Sequence, residues 1–366
     1  MHDNTDKIII DWLSITSKRL SVKEMMEILG LENAPWEQGR GYHGYQTRYW
    51  YDSISIHCDG SGDMGIWLEM SGQGCRAFES YSNKKSIYDT EMYKPLFKLV
   101  VDNPKEFNIT RLDIAFDEFS GILDGKRVFD DTVNQKYKSK AEYWSATTSS
   151  DGLSLNIGSP RSKVLIRIYD KRAERLAKIT DRDQRERIEE DIPHWMRVEL
   201  QLRDDRALEF IKTMAGCGKC STEQMSIGAV YTGVLANYLD YGYAVPAKGN
   251  SGKLVWHTFP YWQDVIAGAN AISIYSQPGT EYNLARCENY VFNMAGNAVD
   301  AVIKVKGVEG FLEGLDKRHI KPNPKYIQMI EDERERKRKL AEDAAYWRSQ
   351  GVYIEGDSDD GRNDRA

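Results

Sequence analysis

The sequence predicts an α+β fold, in which an antiparallel β-sheet with flanking helices is followed by a smaller mixed C-terminal region. Three stretches carry this prediction: residues 108–119, 153–171 and 193–205. Apolar and polar residues alternate along each of them, as in strands that bury one face and expose the other. Several antiparallel strands with helices between them favour α+β over a doubly wound parallel sheet.

The N-terminal segment predicts a strand, a helix and a β-meander. Residues 8–16 have the pattern of a first strand, and residues 22–31 have the apolar spacing of a helix that stops at a glycine. Two β-rich stretches follow, residues 42–60 and 65–78, both interrupted by turn residues. Within the second, the block SGQGCRAFES (71–80) predicts a tight β-turn.

The stretches after the strand 108–119 complete the predicted sheet. Residues 153–171 predict a hairpin whose two strands join across a Gly-Ser-Pro turn at 158–160. The charged segment 172–191 predicts a helix or a pair of turns, and residues 207–215 predict the start of a helix.

The character of the chain changes near residue 216, which divides it into four predicted parts. A folded domain covers residues 1–215, and a Gly- and Tyr-rich, then helical region covers 216–323. Residues 324–354 predict a helix of dense mixed charge, and the polar residues 355–366 predict a disordered tail.

Composition limits the function classes. The formal net charge is −6 over 366 residues, so a nucleic-acid site would have to be a local basic patch rather than a basic surface. No apolar run approaches the roughly 20 residues of a membrane span. The N-terminus carries no apolar signal-peptide core, and we expect a soluble, cytoplasmic protein.

The three alternating strands present polar side chains that could do chemistry together. These are Asp113 and Asp117 on the first, Arg167, Tyr169 and Lys171 on the second, and Glu199 on the third. If the strands are sheet neighbours, the carboxylates suit a hard cation such as Mg²⁺ or Mn²⁺. A nearby cation or metal would lower the pKa of the tyrosine from its ordinary ~10, and an adjacent group could accept its proton. The alternative is a wet strand face with cross-strand ion pairs.

Four blocks together resemble the replication initiation factor family, the Rep_trans-type rolling-circle initiators, which include relaxases of integrative conjugative elements. In order, they are LEMSGQGCRAFES, ITRLDIAFDEFSGIL, LSLNIGSPRSKVLIRIYDKRAE and HWMRVELQLRDDRA. The resemblance covers roughly residues 8–215, and more weakly the region to about 315. It implies an endonuclease that nicks and closes one DNA strand at a replication origin through a 5′-phosphotyrosyl intermediate, leaving a free 3′-OH primer.

The resemblance also implies roles for individual residues. Tyr169 would be the nucleophile and Lys171 would activate it or steady the phosphate; Asp113 and Glu199 would bind the metal, with Asp117 as a third ligand. Arg167 and Arg203 would contact phosphates. Residues 161–175 carry a local charge of +4, from six basic and two acidic side chains, and Arg161 and Lys163 belong to this basic stretch. Arg76 in the predicted turn would approach the DNA backbone.

The sequence differs in two features from some of the enzymes that it resembles. None of the six histidines forms the His-hydrophobe-His motif of better-known rolling-circle enzymes. The chain also starts on its first strand, whereas some conjugative relaxases carry an N-terminal helix-turn-helix, which favours an initiator over a relaxase. Residues 1–215 would then be the catalytic nicking-closing domain, and 216–323 would recognise the origin or a partner.

The sequence leaves several functions open. The rivals to the initiator are a relaxase of a conjugative or mobilisable element, a hydrolytic metal-dependent nuclease, and a non-catalytic origin-binding protein. The expected partners are a supercoiled, cruciform or single-stranded DNA origin, a host helicase and a polymerase, with no membrane and a possible homodimer.

Overall fold

The computed structural model describes residues 8–81, 90–149, 152–219, 223–246, 254–267, 274, 291–292, 295–317, 327, 330–331, 334 and 338. The chain divides into two compact units, Met1–Gln277 and Pro278–Ala366. The larger unit contains all the strands named below. Among the described residues, no helix combines the length and the apolar character needed to cross a bilayer.

A ten-stranded sheet dominates the larger unit within the described residues, and it confirms the predicted α+β class. In spatial order its strands are β2 (Glu37–Arg40), β3 (Tyr45–Tyr51), β4 (Ile54–Gly60), β5 (Ile66–Met70), β1 (Ile8–Ser17), β6 (Phe107–Glu118), β11 (Met196–Arg203), β10 (Val164–Asp170), β9 (Gly152–Ile157) and β8 (Trp144–Ser149). Each of these neighbouring strand pairs is antiparallel. A second sheet has the order β13 (Leu254–Thr258), β12 (Leu239–Pro246) and β7 (Tyr137–Ser139).

The helices lie between these strands in sequence. They are α1 (Val22–Ile28), α2 (Gly72–Tyr81), α3 (Lys94–Asp102), α4 (Gly125–Val133), α5 (Lys171–Lys178), α6 (Arg182–Asp191), α7 (Asp205–Met214), α8 (Ile227–Tyr238), α9 (Pro260–Val265) and α10 (Gly296–Asp316), with a 3-10 turn at Glu91–Tyr93. Helices α1, α2, α3 and α7 contact the sheet. Helix α10 belongs to the smaller unit and is kinked at Gly307, where φ is 73°.

The core occupies one face of the large sheet. Leu112, Ile114 and Phe116 of β6 lie in one buried cluster with Phe78 of α2 and Phe210 of α7. Burying these apolar side chains supplies the main driving force for folding. Because strand side chains alternate, the residues between them must lie on the opposite face, which carries the polar site.

Two local predictions differ from the structure. The block 71–80 forms helix α2, not a tight turn; Gly74 allows the helix to approach the carbonyl of Ser53, where a side chain would clash. Lys171 does not belong to the strand, because β10 ends at Asp170, whose carboxylate accepts a bond from Ala173 N at 2.8 Å and caps α5. The charged segment 172–191 is helical in two pieces.

The division at residue 216 stays a prediction. The first compact unit extends past residue 216 to Gln277. Within it, Tyr231 of α8 donates a hydrogen bond to the Val198 carbonyl of the large sheet at 2.8 Å. The predicted helix at 324–354 falls largely outside the described residues, and the predicted tail at 355–366 falls wholly outside them.

Candidate active site

A cavity of about 1070 Å³ opens on the polar face of the sheet, where β1, β6, β11 and β10 run side by side. Its lining includes Asp11, Trp12, Arg76, Arg111, Asp113, Asp117, Asn156, Arg167, Tyr169, Lys171, Glu174, Trp195, Arg197 and Glu199. The order β6–β11–β10 confirms that the three alternating strands are neighbours. The fold therefore brings the predicted tyrosine, lysine and three carboxylates to one place.

Tyr169 and Glu199 form the centre of the site. The pairing of β10 with β11 places Arg167 opposite Glu199, and Tyr169 two positions further along on the same face. The Tyr169 hydroxyl donates to Oε2 of Glu199 at 3.2 Å, and Nη1 of Arg167 lies 3.1 Å from Oε1. The two carboxylate oxygens thus have different partners, a phenol and a guanidinium.

The environment of Tyr169 holds the phenol in its neutral form. The side chain is only 7% exposed, and this burial raises the pKa of Tyr169, with a further contribution from the Glu199 charge, while Arg197 lowers it. The Arg167 guanidinium and the Lys171 ammonium lie 5.2 and 5.6 Å from the ring centroid. The cations flank the tyrosine as predicted, but in this structure burial outweighs them, so the lowered pKa predicted from the sequence is not seen.

Asp113 is the second buried carboxylate of the site. Nε of Arg111 donates to it at 3.0 Å, and its side chain is almost fully buried. The pKa of Asp113 is raised to about 7, chiefly by burial; Arg111 opposes this shift, and the charges of Glu199 and Asp11 add to it. Asp113 therefore resists ionisation, and a cation bound beside it would stabilise its charged form.

This donor set fits a hard cation only in part. Within the described residues, no three His, Cys, Asp or Glu side chains are arranged to hold a metal ion. The charge of Glu199 acts on Asp113, and both carboxylates line the same cavity. Mg²⁺ is commonly held by one or two carboxylates, with waters and substrate phosphate oxygens completing its shell. Two carboxylates facing a cavity wide enough for a phosphodiester satisfy that requirement.

Asp117 is engaged elsewhere in the site. Its two oxygens accept from Nε and Nη2 of Arg197 at 2.7 and 2.8 Å, and its Oδ1 also accepts from the Trp195 indole at 2.8 Å. Arg197 continues to Asp11, with Nη1 and Oδ2 3.0 Å apart. A metal ion at Asp117 would compete with a buried bidentate ion pair. The assignment of Asp117 as a third ligand stays a prediction.

Asp11 is a site residue that sequence reasoning did not find. The pairing of β1 with β6 shifts between Ile10 and Trp12, so Asp11 is the extra residue of a β-bulge. A bulge re-aims a side chain out of the normal alternation. Periodicity in the segment 8–16 does not reveal it, because the bulge depends on the partner strand. Alternation also puts Arg111 and Arg197 on the polar strand faces, but it does not show which carboxylates they pair with.

Lys171 enters the cavity from the first turn of α5. It forms an ion pair with Glu174, and burial, followed by the Arg197 charge, lowers the pKa of Lys171. Arg175 and Lys178 of the same helix also line the cavity. The basic stretch predicted at 161–175 therefore contributes Lys171 and Arg175 to this wall, and Lys178, beyond that stretch, adds a third cation.

The predicted DNA contacts separate into two groups. Arg167 and Arg76 line the cavity, and Arg76 is also a structural link, since its Nη2 donates to the Ile10 carbonyl at 2.5 Å and to Glu79 at 2.7 Å. Arg161, Lys163 and Arg203 are absent from the described lining. Lys163 is paired with Asp205 at the start of α7.

Comparison with known proteins gives a consistent assignment. The family described as replication initiation factor matches residues 107–315, and the family described as the N-terminal domain of rolling circle replication initiation proteins matches residues 7–94. A relative from Bacillus subtilis (strain 168), named putative DNA relaxase NicK, is 26% identical over 314 residues, or 81% of this chain and 80% of that protein.

A solved structure is also similar. It is the rolling circle replication initiator protein from Geobacillus stearothermophilus, with a TM-score of 0.56 and 27% sequence identity. The similarity covers 74% of this chain and 99% of the other.

Proposed function

The chain belongs to the replication initiation factor family of rolling-circle initiators and relaxases, and from that premise we propose that it nicks one DNA strand through attack by Tyr169. The observation that carries the proposal is the hydrogen bond from the Tyr169 hydroxyl to Glu199, in a cavity flanked by Arg167 and Lys171. A nucleophile within hydrogen-bond reach of a base, with cations beside it, is the arrangement that phosphoryl transfer requires.

The chemistry transfers a phosphodiester from DNA to the protein. The Tyr169 oxygen forms a bond to phosphorus as its proton passes to a carboxylate, and Glu199 is the acceptor already in place. The P–O bond to the 3′ oxygen breaks, and that oxygen takes up a proton from solvent as it leaves. The products are a 5′-phosphotyrosyl end and a 3′-OH that a polymerase can extend. Arg167 and Lys171 stabilise the charge on the non-bridging oxygens.

We further propose that Asp113 and Glu199 hold a Mg²⁺ or Mn²⁺ ion with water and phosphate oxygens. Such an ion would polarise a phosphoryl oxygen and stabilise the charge of the displacement. Arg197, fixed between Asp11 and Asp117, would keep β11 and the floor of the site rigid.

The biological target follows from the family. We propose that the protein acts at a supercoiled or cruciform DNA origin in the cytoplasm, with a host helicase and polymerase, and as a homodimer. A second candidate is a relaxase of a mobile element with the same chemistry, which the similarity to the putative relaxase NicK favours. The initiator and the relaxase would use the same reacting groups, so only the DNA site that each one cuts distinguishes them.

The test uses supercoiled DNA carrying the gene and its flanks, incubated with Mg²⁺ or Mn²⁺ and wild-type protein, Tyr169→Phe or Tyr243→Phe. Tyr243 is an exposed tyrosine of the second sheet and is the matched control. We expect wild type and Tyr243→Phe to relax the DNA and to form a protein–DNA adduct that survives denaturant. Tyr169→Phe should do neither.

The alternatives give different results. Nicking without an adduct, unchanged in Tyr169→Phe, would establish a hydrolytic nuclease. Binding to the DNA without any nicking by the wild type, with either metal, would leave a non-catalytic origin-binding protein.

A further inference from the structure

A second cluster lies on the same polar face, on the N-terminal strands. We call Tyr42, Arg48, Trp50 and Trp67 the aromatic patch. Tyr42 and Trp67 contact His57 of β4, Arg48 is its pairing partner on β3, and Arg48 in turn lies against Trp50. Tyr42 lies in the β2–β3 turn and is 38% exposed, and Arg48, Trp50 and Trp67 are half-buried. Its rings therefore remain accessible to a ligand.

A continuous row of paired residues connects the patch to the catalytic cavity. Ser55 pairs with Glu69, Glu69 with Ser14, and Ser14 with Arg111. Directly paired residues in antiparallel strands lie on one face, so the row crosses β4, β5, β1 and β6 without leaving that face. Arg111 at its end binds Asp113 of the site.

The patch is bound into this row at each step. Arg48 donates to the Ser55 hydroxyl at 2.7 and 3.0 Å, the Tyr42 hydroxyl donates to Glu69 at 2.8 Å, and the Trp67 indole donates to Ser14 at 2.6 Å. The rings are thus held in place by hydrogen bonds at their polar ends. Rings fixed in this way can stack on a flat ligand without losing much side-chain freedom.

The charge of the patch suits a phosphate chain. The Arg48 guanidinium lies 5.1 Å from the Trp50 ring and 5.9 Å from the Tyr42 ring. Among the described contacts its polar partner is a hydroxyl, so no carboxylate neutralises it. An arginine beside stacked rings is the combination by which proteins bind single-stranded nucleic acid, since bases stack and the cation follows the backbone.

His57 adds a third observation. It is fully buried under Tyr42, whose ring is edge-on at 4.3 Å, and its other side stacks on Trp67 at 4.6 Å. Both of its ring nitrogens lack a hydrogen-bond partner within the described structure. A buried polar group without a partner calls for an explanation. A hydrogen-bonding group of a bound base that reached the edge of the imidazole beside Tyr42 would supply one.

We propose that the aromatic patch binds unpaired bases of the DNA strand that leads into the catalytic cavity; this inference rests on the proposed function. Four strand spacings of about 4.8 Å separate β3 from β6, so the path is about 19 Å long and spans a few nucleotides. Double-stranded DNA hides the faces of its bases, so the patch selects single-stranded DNA or a strand extruded at a cruciform.

The experiment measures binding of a fluorescein-labelled oligothymidylate of about 20 nucleotides to the full chain by anisotropy, without metal. We expect Tyr42→Ala and Arg48→Gln each to weaken binding about 5- to 100-fold. Tyr42→Phe keeps the ring and should bind within about twofold of wild type. Tyr243→Ala is the matched control, because Tyr243 is also exposed and its ring also stacks near a histidine, at 5.7 Å.

The results separate this inference from the nicking proposal. Equal binding by wild type and Tyr42→Ala, or no binding by wild type, would overturn the patch assignment whether or not Tyr169 forms an adduct. Loss of binding in Tyr42→Phe as well as in Tyr42→Ala would also overturn it. The weaker binding would then come from loss of the hydroxyl and its effect on the fold, not from loss of the stacking ring. Tyr169→Phe should bind the oligonucleotide like wild type, so its failure to form an adduct reports on the chemistry alone.

Discussion

Two tyrosine–glutamate pairs lie on the same face of one sheet, and their surroundings differ. Tyr169 donates to Glu199 at 3.2 Å in the C-terminal half, and Tyr42 donates to Glu69 at 2.8 Å in the N-terminal half. Tyr169 is 7% exposed and Tyr42 is 38% exposed. Burial raises the pKa of both, to about 12 for Tyr42. The hydrogen bond alone therefore does not make a nucleophile.

The difference lies in the charges that each half of the sheet collects. Around Tyr169 the strands bring together several carboxylates that pair with guanidinium groups, such as Asp113 with Arg111 and Asp117 with Arg197. Around Tyr42 the neighbours are rings and one arginine that binds a hydroxyl. The first environment can stabilise a reacting phosphate, whereas the second can hold flat, uncharged groups.

The largest expected effect comes from removing the acceptor of the Tyr169 proton. Glu199→Gln keeps the shape of the side chain but removes its charge, so it can neither accept the proton nor bind a metal ion. We expect the nicking rate on supercoiled DNA to fall about 10²- to 10⁴-fold. Glu69→Gln is the matched control and should change the rate at saturating DNA less than about twofold. Equal losses in both variants would show that the two pairs do not differ in function.

The next effect concerns stability. Arg197 is buried between Asp11 and Asp117, and Arg197→Met leaves both carboxylates without their cation. We expect the free energy of unfolding to fall by about 3–5 kcal/mol, measured by denaturant titration. Arg48→Gln in the other half loses bonds to a hydroxyl and its cation–π contacts with Trp50 and Tyr42, and should cost about 1–2 kcal/mol. A small loss in Arg197→Met would show that the carboxylates find other partners or take up protons.

The smallest effect is a dependence on pH in the catalytic half. The pKa of Asp113 is raised to about 7, chiefly by burial, and a metal ion must replace its proton. We expect Mn²⁺ affinity, followed by electron paramagnetic resonance, to fall about tenfold per pH unit below pH 7. Asp113→Asn should bind weakly with no such slope. A wild-type affinity that is constant between pH 6 and 8 would contradict the assignment.

The raised pKa of Asp113 also determines how the stability of the fold changes with pH. The folded pKa of Asp113 lies above the unfolded value, so its contribution to stability is fully present below about pH 4 and is lost as pH rises through 7. Bound Mn²⁺ should reverse this trend, because it stabilises the ionised carboxylate. Thermal unfolding with and without Mn²⁺ at pH 6 and 8 measures this reversal.

The sequence by itself determined which side chains share a face. Alternation placed Asp113, Tyr169 and Glu199 on polar strand faces, and the structure confirms that β6, β11 and β10 are neighbours. This prediction succeeds because the side-chain period of a strand is a local property. The same local rules predicted the α+β class and, at 172–191, a helix or a pair of turns, where the structure has two helices.

Only the tertiary structure decided what each polar side chain contacts. Asp11 reaches the site through a bulge that exists only against β6, and Arg197 joins it to Asp117 across strands far apart in sequence. Helix α2 stands where a turn was predicted, and Gly74 lets it pack against the Ser53 carbonyl of the β3–β4 hairpin, a contact that the local sequence does not contain. Pairing register, burial and the pKa values that follow from them are properties of the assembled sheet. A local pattern does not contain them, because each depends on a partner distant in sequence.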